Sequence, residues 1–242
     1  MWDTASSPIA KTMEVLDERW TVLIIRELVA GSHHFNEIRH GLPRMSTALL
    51  SKRLRSLERA GIVVRRAEGS RTGYDLTPGG RALEPVIQSL GEWGVQWRSE
   101  LGDEDLDPHL LLWDIHRNID VATLPEGRVV LAFTFTDVEP RTRSWWIVVS
   151  ADGDVDVCDV DPGHPATVAM SSTLRTMVDV WRGQLSWSQA LRSEQLHLSG
   201  PAAARHSLPR WLMLSPFAAL VDHRLDRASS SPQSPGPEAS PR

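Results

Sequence analysis

The sequence predicts an α+β protein built from two units, and three observations carry that reading. Apolar residues recur at helical spacing through most of the first hundred positions, interrupted by one short hairpin signal. Alternating strand patterns mix with helices over the next hundred or so positions. Between them, Glu100 to Pro108 is acidic and loosely patterned, with Asp103, Glu104, Asp105 and Asp107. The expected units are therefore 1–100 and 101–227. A Ser/Pro-rich tail at 228–242 holds too little apolar surface to fold.

In the first unit, Ile9, Met13 and Leu16 form one helical stripe, and a second helix runs from Trp20 through Leu23, Ile24 and Leu28 to Gly31. A short helix, Phe35 to His40, ends at the turn Gly41-Leu42-Pro43. Ser46 is placed to cap a longer helix reaching Ala60, and Gly61 supplies the left-handed residue that stops it. Ile62-Val63-Val64 and Tyr74-Asp75-Leu76 read as paired strands, with Glu68 to Gly73 as the tip. Thr77-Pro78 then opens a long helix whose apolar stripe, from Leu83 through Leu90 and Trp93 to Trp97, is wider than a small domain covers. A helix, a turn, a helix and a wing follow in that order.

In the second unit a helix near Leu110 to Ile119 precedes strands at Arg128 to Thr136, Ser144 to Val149 and Val155 to Val160, with Asp152-Gly153 as a tight turn. Helices are expected at Ala166 to Val180 and Ser186 to Arg192. A strand at Gln195 to Leu198 and a last helix through Trp211 close the unit.

Composition narrows the class. Of 242 residues, 41% are hydrophobic and 24% charged, as in ordinary soluble domains. No run approaches the roughly 20 apolar residues of a membrane span, and Met1 to Pro8 lacks the pattern of a secretory signal, so a cytoplasmic protein with no membrane partner is expected. Cys158 stands alone, which excludes an internal disulfide framework and a multi-cysteine zinc site; a core thiol is expected. The net charge of -5 hides a split. Residues 1–100 hold 14 Lys/Arg and 12 Asp/Glu, whereas Arg39 to Thr72 alone holds 9 basic residues against Glu58 and Glu68. That local excess suits a polyanion.

On the helix that follows Ser46, Leu50, Leu54 and Leu57 share the core stripe, leaving Ala48, Ser51, Lys52, Arg55 and Arg59 opposite. A small residue permits close approach to a groove, a hydroxyl and a lysine reach base edges or phosphates, and arginines flank them. A basic helix face is also compatible with plain solvation. The neighbouring wing, with Arg65, Arg66 and Arg71, favours double-stranded DNA. The expected DNA-binding set is Thr47, Ala48, Ser51, Lys52, Arg53, Arg55, Arg59, Arg65, Arg66 and Arg71.

Ser7-Pro8-Ile9-Ala10, Arg19-Trp20-Thr21, Arg26-Glu27-Leu28, Phe35-Asn36-Glu37-Ile38, Leu50-Ser51-Lys52-Arg53-Leu54, Ala60-Gly61, Tyr74-Asp75-Leu76-Thr77 and Trp93-Gly94 occur in one order. This run resembles the HxlR-type winged helix-turn-helix regulators of bacteria, relatives of the MarR type. The resemblance implies a transcription regulator that is a homodimer, held by the first and last helices of this unit, on a two-fold-symmetric operator. Family members often carry a cysteine before the proline, where this chain has Ser7, so thiol switching at that position is excluded.

The second unit shows no Gly-rich phosphate loop, nucleophile elbow or paired carboxylates that mark catalysis, and no enzyme activity, metal or cofactor is expected. Asp152, Asp154 and Asp156 lack the length and terminal glutamate of a calcium loop. Adjacent His33 and His34 diverge around the chain and read as phosphate contacts or exposed residues. From Leu110 to Leu214, Val168 to Val178, Trp181-Arg182-Gly183-Gln184-Leu185 and Gln189-Ala190-Leu191 resemble the sterol-carrier-protein fold. That likeness implies an apolar pocket for a small effector, with Trp145, Trp181 and Trp211 as the expected lining and Trp146 and Trp187 as further candidates. The same tryptophans are equally suited to filling a core. The competing function is a lipid carrier or scaffold whose winged helix docks a protein.

Overall fold

Pro8 opens the first helix, α1 (Pro8–Leu16), at a position where its missing N–H has no intrahelical acceptor. The computed structural model describes residues 7–69, 71–98 and 101–220; the tail expected at 228–242 lies outside them. Next come α2 (Thr21–Val29), α3 (Phe35–His40) and α4 (Thr47–Arg59). The Oγ of Ser46 accepts the Leu49 N–H at 3.3 Å, and Gly61 at φ +70° ends α4 as its sequence signal requires. Leu50, Leu54 and Leu57 are buried against Ile24, Ile25, Leu28 and Ile38.

Strands β1 (Val63–Glu68) and β2 (Arg71–Leu76) pair antiparallel from Val63 opposite Leu76 to Glu68 opposite Arg71. They run further toward the tip than their apolar residues predict, because the segment before α3 adds a third edge. The Tyr74 N–H donates to the His33 carbonyl at 2.7 Å, and His34 bridges Gly73. The long helix expected from Thr77 is two: α5 (Pro78–Arg81), capped by the Thr77 hydroxyl, and α6 (Glu84–Trp97). Pro85 explains the break, since it removes an N–H and crowds the carbonyl of the preceding turn.

The second unit starts at α7 (Pro108–His116), where the Asp107 carboxylate accepts the His109 and Leu110 N–H groups. There follow β3 (Val129–Phe135), β4 (Ser144–Val149), β5 (Val155–Cys158), β6 (Val168–Ser172), α8 (Leu174–Trp181), α9 (Trp187–Arg192), β7 (Leu196–Ser199) and α10 (Ala202–Trp211). The sheet order is β5-β4-β3-β6-β7, with β3 and β6 parallel and the other neighbours antiparallel. One expected helix is thereby corrected. Its first part, Val168 to Ser172, is the strand β6, with Val168, Met170 and Ser172 buried in alternation. The helix begins only after Thr173, whose hydroxyl accepts the Thr176 N–H at 3.0 Å. The parallel partner β3, more than thirty residues away in sequence, decides for strand over helix.

Buried apolar residues fall into two clusters, one spanning Ile24 to Leu76 and the other Leu111 to Leu212. Among the described residues no helix is long and apolar enough to cross a membrane.

Candidate nucleic-acid interface

The core stripe of α4 fixes which residues face outward. Thr47, Ala48, Lys52, Arg55 and Arg59 are exposed and Ser51 is half-buried at the edge of the same face. Arg59 lies back along its own helix, its Nε donating to the Arg55 carbonyl at 3.3 Å and its Nη2 to the Ser56 hydroxyl at 3.1 Å. Arg53 departs from expectation. Its guanidinium pairs with Glu18 and its Nε donates to the Arg19 carbonyl at 3.3 Å, leaving the side chain 12% exposed. It fastens α4 to the chain between α1 and α2 and does not share the face of Lys52 and Arg55.

On the wing, Arg65, Arg66 and Arg71 are exposed. Arg65 donates to the Thr72 hydroxyl at 3.3 Å. Arg66 pairs with Asp75 at 2.9 Å, and the same carboxylate receives His33 Nδ1 at 3.0 Å. His33 and His34 thus tie the wing to the start of α3, a structural use the sequence did not reveal. Glu37 completes this tie by accepting the backbone N–H groups of His33 and His34 at 2.7 and 3.0 Å. Burial works to raise the Glu37 carboxyl, but those two N–H groups and the two rings overcome it and hold the group below its ordinary pKa.

The two units meet at a buried charge. The Glu27 carboxylate, 0% exposed, receives the guanidinium of Arg26 on one oxygen and that of Arg117, the residue that follows α7, on the other. Arg117 also donates to the Ser32 hydroxyl at 2.9 Å and lies over the Trp113 ring at 5.2 Å. Gly41 makes room for this arrangement, since a Cβ there would overlap the Glu27 carboxyl. Nearby, His109 Nε2 lies 3.0 Å from the His40 carbonyl, Trp113 meets the His40 ring edge-on at 5.0 Å, and Arg44 donates to the Glu104 carbonyl at 3.3 Å. A sequence signal for this junction existed: Glu27 interrupts the apolar stripe of Ile24 and Leu28, and a carboxylate on a core face needs a buried partner.

The three tryptophans expected to line an effector pocket do not share one. Trp145 and Trp211 are core residues, with their indole N–H groups donated to the Thr142 and Thr123 carbonyls at 2.7 and 3.0 Å. Trp181 alone of the three borders the cleft between the units, a cavity of about 300 Å³ lined by apolar residues such as Leu106, Leu110, Val178 and Phe217 and also by Arg26, Asp105, Asp107, Asp114 and Arg182. Cys158 is half-buried, and burial together with Asp156 and Asp159 pushes its thiol pKa up. No cluster suited to a metal ion occurs among the described residues.

A family profile described as HxlR-like helix-turn-helix matches residues 15–101. The uncharacterized HTH-type transcriptional regulator YvaP of Bacillus subtilis is 38% identical over 90 residues, which cover 83% of that protein and 36% of this chain. The chain belongs to the HxlR-like helix-turn-helix family. A second relative, the B. subtilis HTH-type transcriptional regulator YodB, is 34% identical over 94% of its own length and 43% of this chain. A crystal structure of quinone-bound YodB matches 37% of this chain and 97% of its own at 35% identity, with a TM-score of 0.33. As a member of this family the chain is a DNA-binding transcription regulator, in a family that is not enzymatic. The relatives lend no support to a lipid carrier or protein-docking scaffold.

Proposed function

We propose that this HxlR-like regulator binds a two-fold-symmetric operator as a homodimer and that an apolar effector acting on the second unit controls it. One observation carries the DNA assignment: Lys52 and Arg55 are exposed on the side of α4 opposite Leu50, Leu54 and Leu57. In this reading Thr47, Ala48, Ser51 and Lys52 meet the major groove. Arg55 and Arg59 contact flanking phosphates, and Arg65, Arg66 and Arg71 of the wing hold the backbone beyond them. Lys52→Ala and Arg55→Ala are expected to weaken a gel shift while the dimer persists, and wild-type affinity should fall steeply between about 50 and 200 mM salt. Normal shifts from both variants would remove α4 from the interface.

The dimer reading rests on uncovered apolar surface. Trp93 and Trp97 of α6 are 56% and 64% exposed, beside exposed Val86 and Leu90, and Ile9 and Met13 of α1 are exposed as well. Such a surface needs a partner, and a second copy pairing α1 and α6 supplies one.

For the second unit we favour a sterol-carrier-like sheet backed by helices, with the effector in the cleft beside Trp181. The cleft is bounded by both units, so an occupant would contact each. YodB has a quinone-bound form; here Ser7 removes one thiol route, and a non-covalent apolar ligand fits the cleft walls better. Native mass spectrometry should show a saturable apolar adduct that Trp181→Ala abolishes. Its absence across lipids and aromatic drugs would leave the second unit a structural one.

A further inference from the structure

At the start of α4 lies a basin of about 490 Å³ whose walls include Arg39, His40, Ser46 and Thr47 of the first unit and His109 of the second. Its described lining carries no carboxylate, while three of its residues have basic side chains. Thr47 belongs both to this basin and to the outward face of α4. The two imidazoles stand 5.5 Å apart, edge to face, and Arg39 and His40 are exposed to solvent. Pro43 and Met45 complete the lining, and its two hydroxyls and three basic groups offer donors to a tetrahedral anion and no carboxylate to a cation.

We propose that this basin seats a backbone phosphate of the DNA duplex on which α4 lies, and that His109 is a DNA contact supplied by the second unit. The inference rests on the assignment of α4 to DNA and extends the interface across the junction. Affinity for DNA then depends on the second unit directly, through one side chain. The basin also brings a proton into binding. Burial lowers the His40 pKa, the positive fields of His109 and Arg39 lower it further, and Glu37 on the same helix opposes them. A phosphate seated beside the His40 ring favours its charged form, so binding takes up a proton and strengthens as pH falls from 8 toward 6.

The test uses the full-length chain and a fluorescein-labelled duplex selected on it from a random library, read by anisotropy at 50 to 200 mM NaCl and at pH 6 and 8. His109→Ala and Arg39→Ala are each expected to weaken binding about threefold to tenfold at pH 6. Arg39→Ala should also lower the slope of log affinity against log salt by about 0.9. His109→Gln keeps a hydrogen-bonding group beside the His40 carbonyl, so it should retain the wild-type melting curve yet bind the duplex more weakly at pH 6. Arg39 is exposed, so its variant stays readable even where His109→Ala impairs folding. Wild-type affinity in Arg39→Ala and His109→Gln and a wild-type salt slope in Arg39→Ala, with Lys52→Ala still weakened, would overturn the basin and spare the assignment of α4. If Lys52→Ala and Arg55→Ala are also silent, both readings fall.

Discussion

Arg117→Met is the substitution that most directly examines how the two units are joined. It removes a guanidinium that is 11% exposed, bonded to Glu27 and Ser32, and it leaves the fully buried Glu27 carboxylate with Arg26 and the Ser32 hydroxyl, the latter at 3.5 Å. Removing one partner of a buried pair costs about 3–5 kcal/mol, because the remaining charge is left desolvated. Arg26 persists and is 38% exposed, which places the expected loss near the lower end, about 3 kcal/mol. For a chain of this size that corresponds to a drop in Tm of roughly 6–12 °C. Differential scanning calorimetry and urea unfolding should both report it. The double variant Glu27→Met/Arg117→Met removes both charges and keeps side chains of similar volume, so it should recover most of the loss. A single variant melting within about 2 °C of wild type, or a double variant losing the sum of the two singles, would refute a desolvated pair at the junction.

Two further outcomes follow from the same structure. On the proposed pairing of α1 and α6, Trp93→Glu or Trp97→Glu should shift sedimentation velocity from dimer toward monomer, each weakening association by about 2 kcal/mol, roughly thirtyfold, without lowering the melting temperature of the monomer. Burial pushes the His116 pKa from 6.5 to about 4, against a hydrogen bond with the Trp113 carbonyl that favours the charged ring. Between those pH values the unfolded chain binds a proton that the folded chain refuses. Stability should therefore fall as pH drops from 6.5 toward 4, by up to about 3 kcal/mol, and His116→Phe should flatten the urea midpoint between pH 6.5 and 5.

What could be read from the sequence was whatever is written in local spacing. The leucines of α4 recur at four and three residues between a serine cap and a stop glycine, so the helix, its buried stripe and its outward cations were all legible. Arg53 was not. It sits beside Leu54 on the edge of the stripe, and what draws it inward is Glu18, on a different element. Val168 to Ser172 carries apolar residues compatible with either period, and only the distant β3 turns it into a strand. Trp145 and Trp211 gave the same ambiguity: a large aromatic is equally a core filler or a pocket wall until its indole N–H is seen to find a carbonyl. The junction was least legible, because no repeat links Glu27 with Arg117 or His40 with His109, ninety and sixty-nine positions apart.

The charge split gives that junction a purpose beyond stability. Residues 101–242 hold 12 Lys/Arg and 19 Asp/Glu, so a strongly acidic unit is carried beside a domain that must approach a polyanion. At physiological salt a carboxylate farther than about 8 Å from a phosphate is largely screened, and one that is nearer opposes binding. Orientation therefore matters more here than in a regulator with a neutral second unit. An apolar contact permits sliding at small cost, whereas a carboxylate shared between two guanidiniums in a closed space is satisfied in one arrangement only. The bonds from Arg117 to α2 and from His109 of α7 to α3 hold the second unit in that arrangement. The residue they bring to the edge of α4 is His109, a side chain that carries no negative charge to repel phosphate.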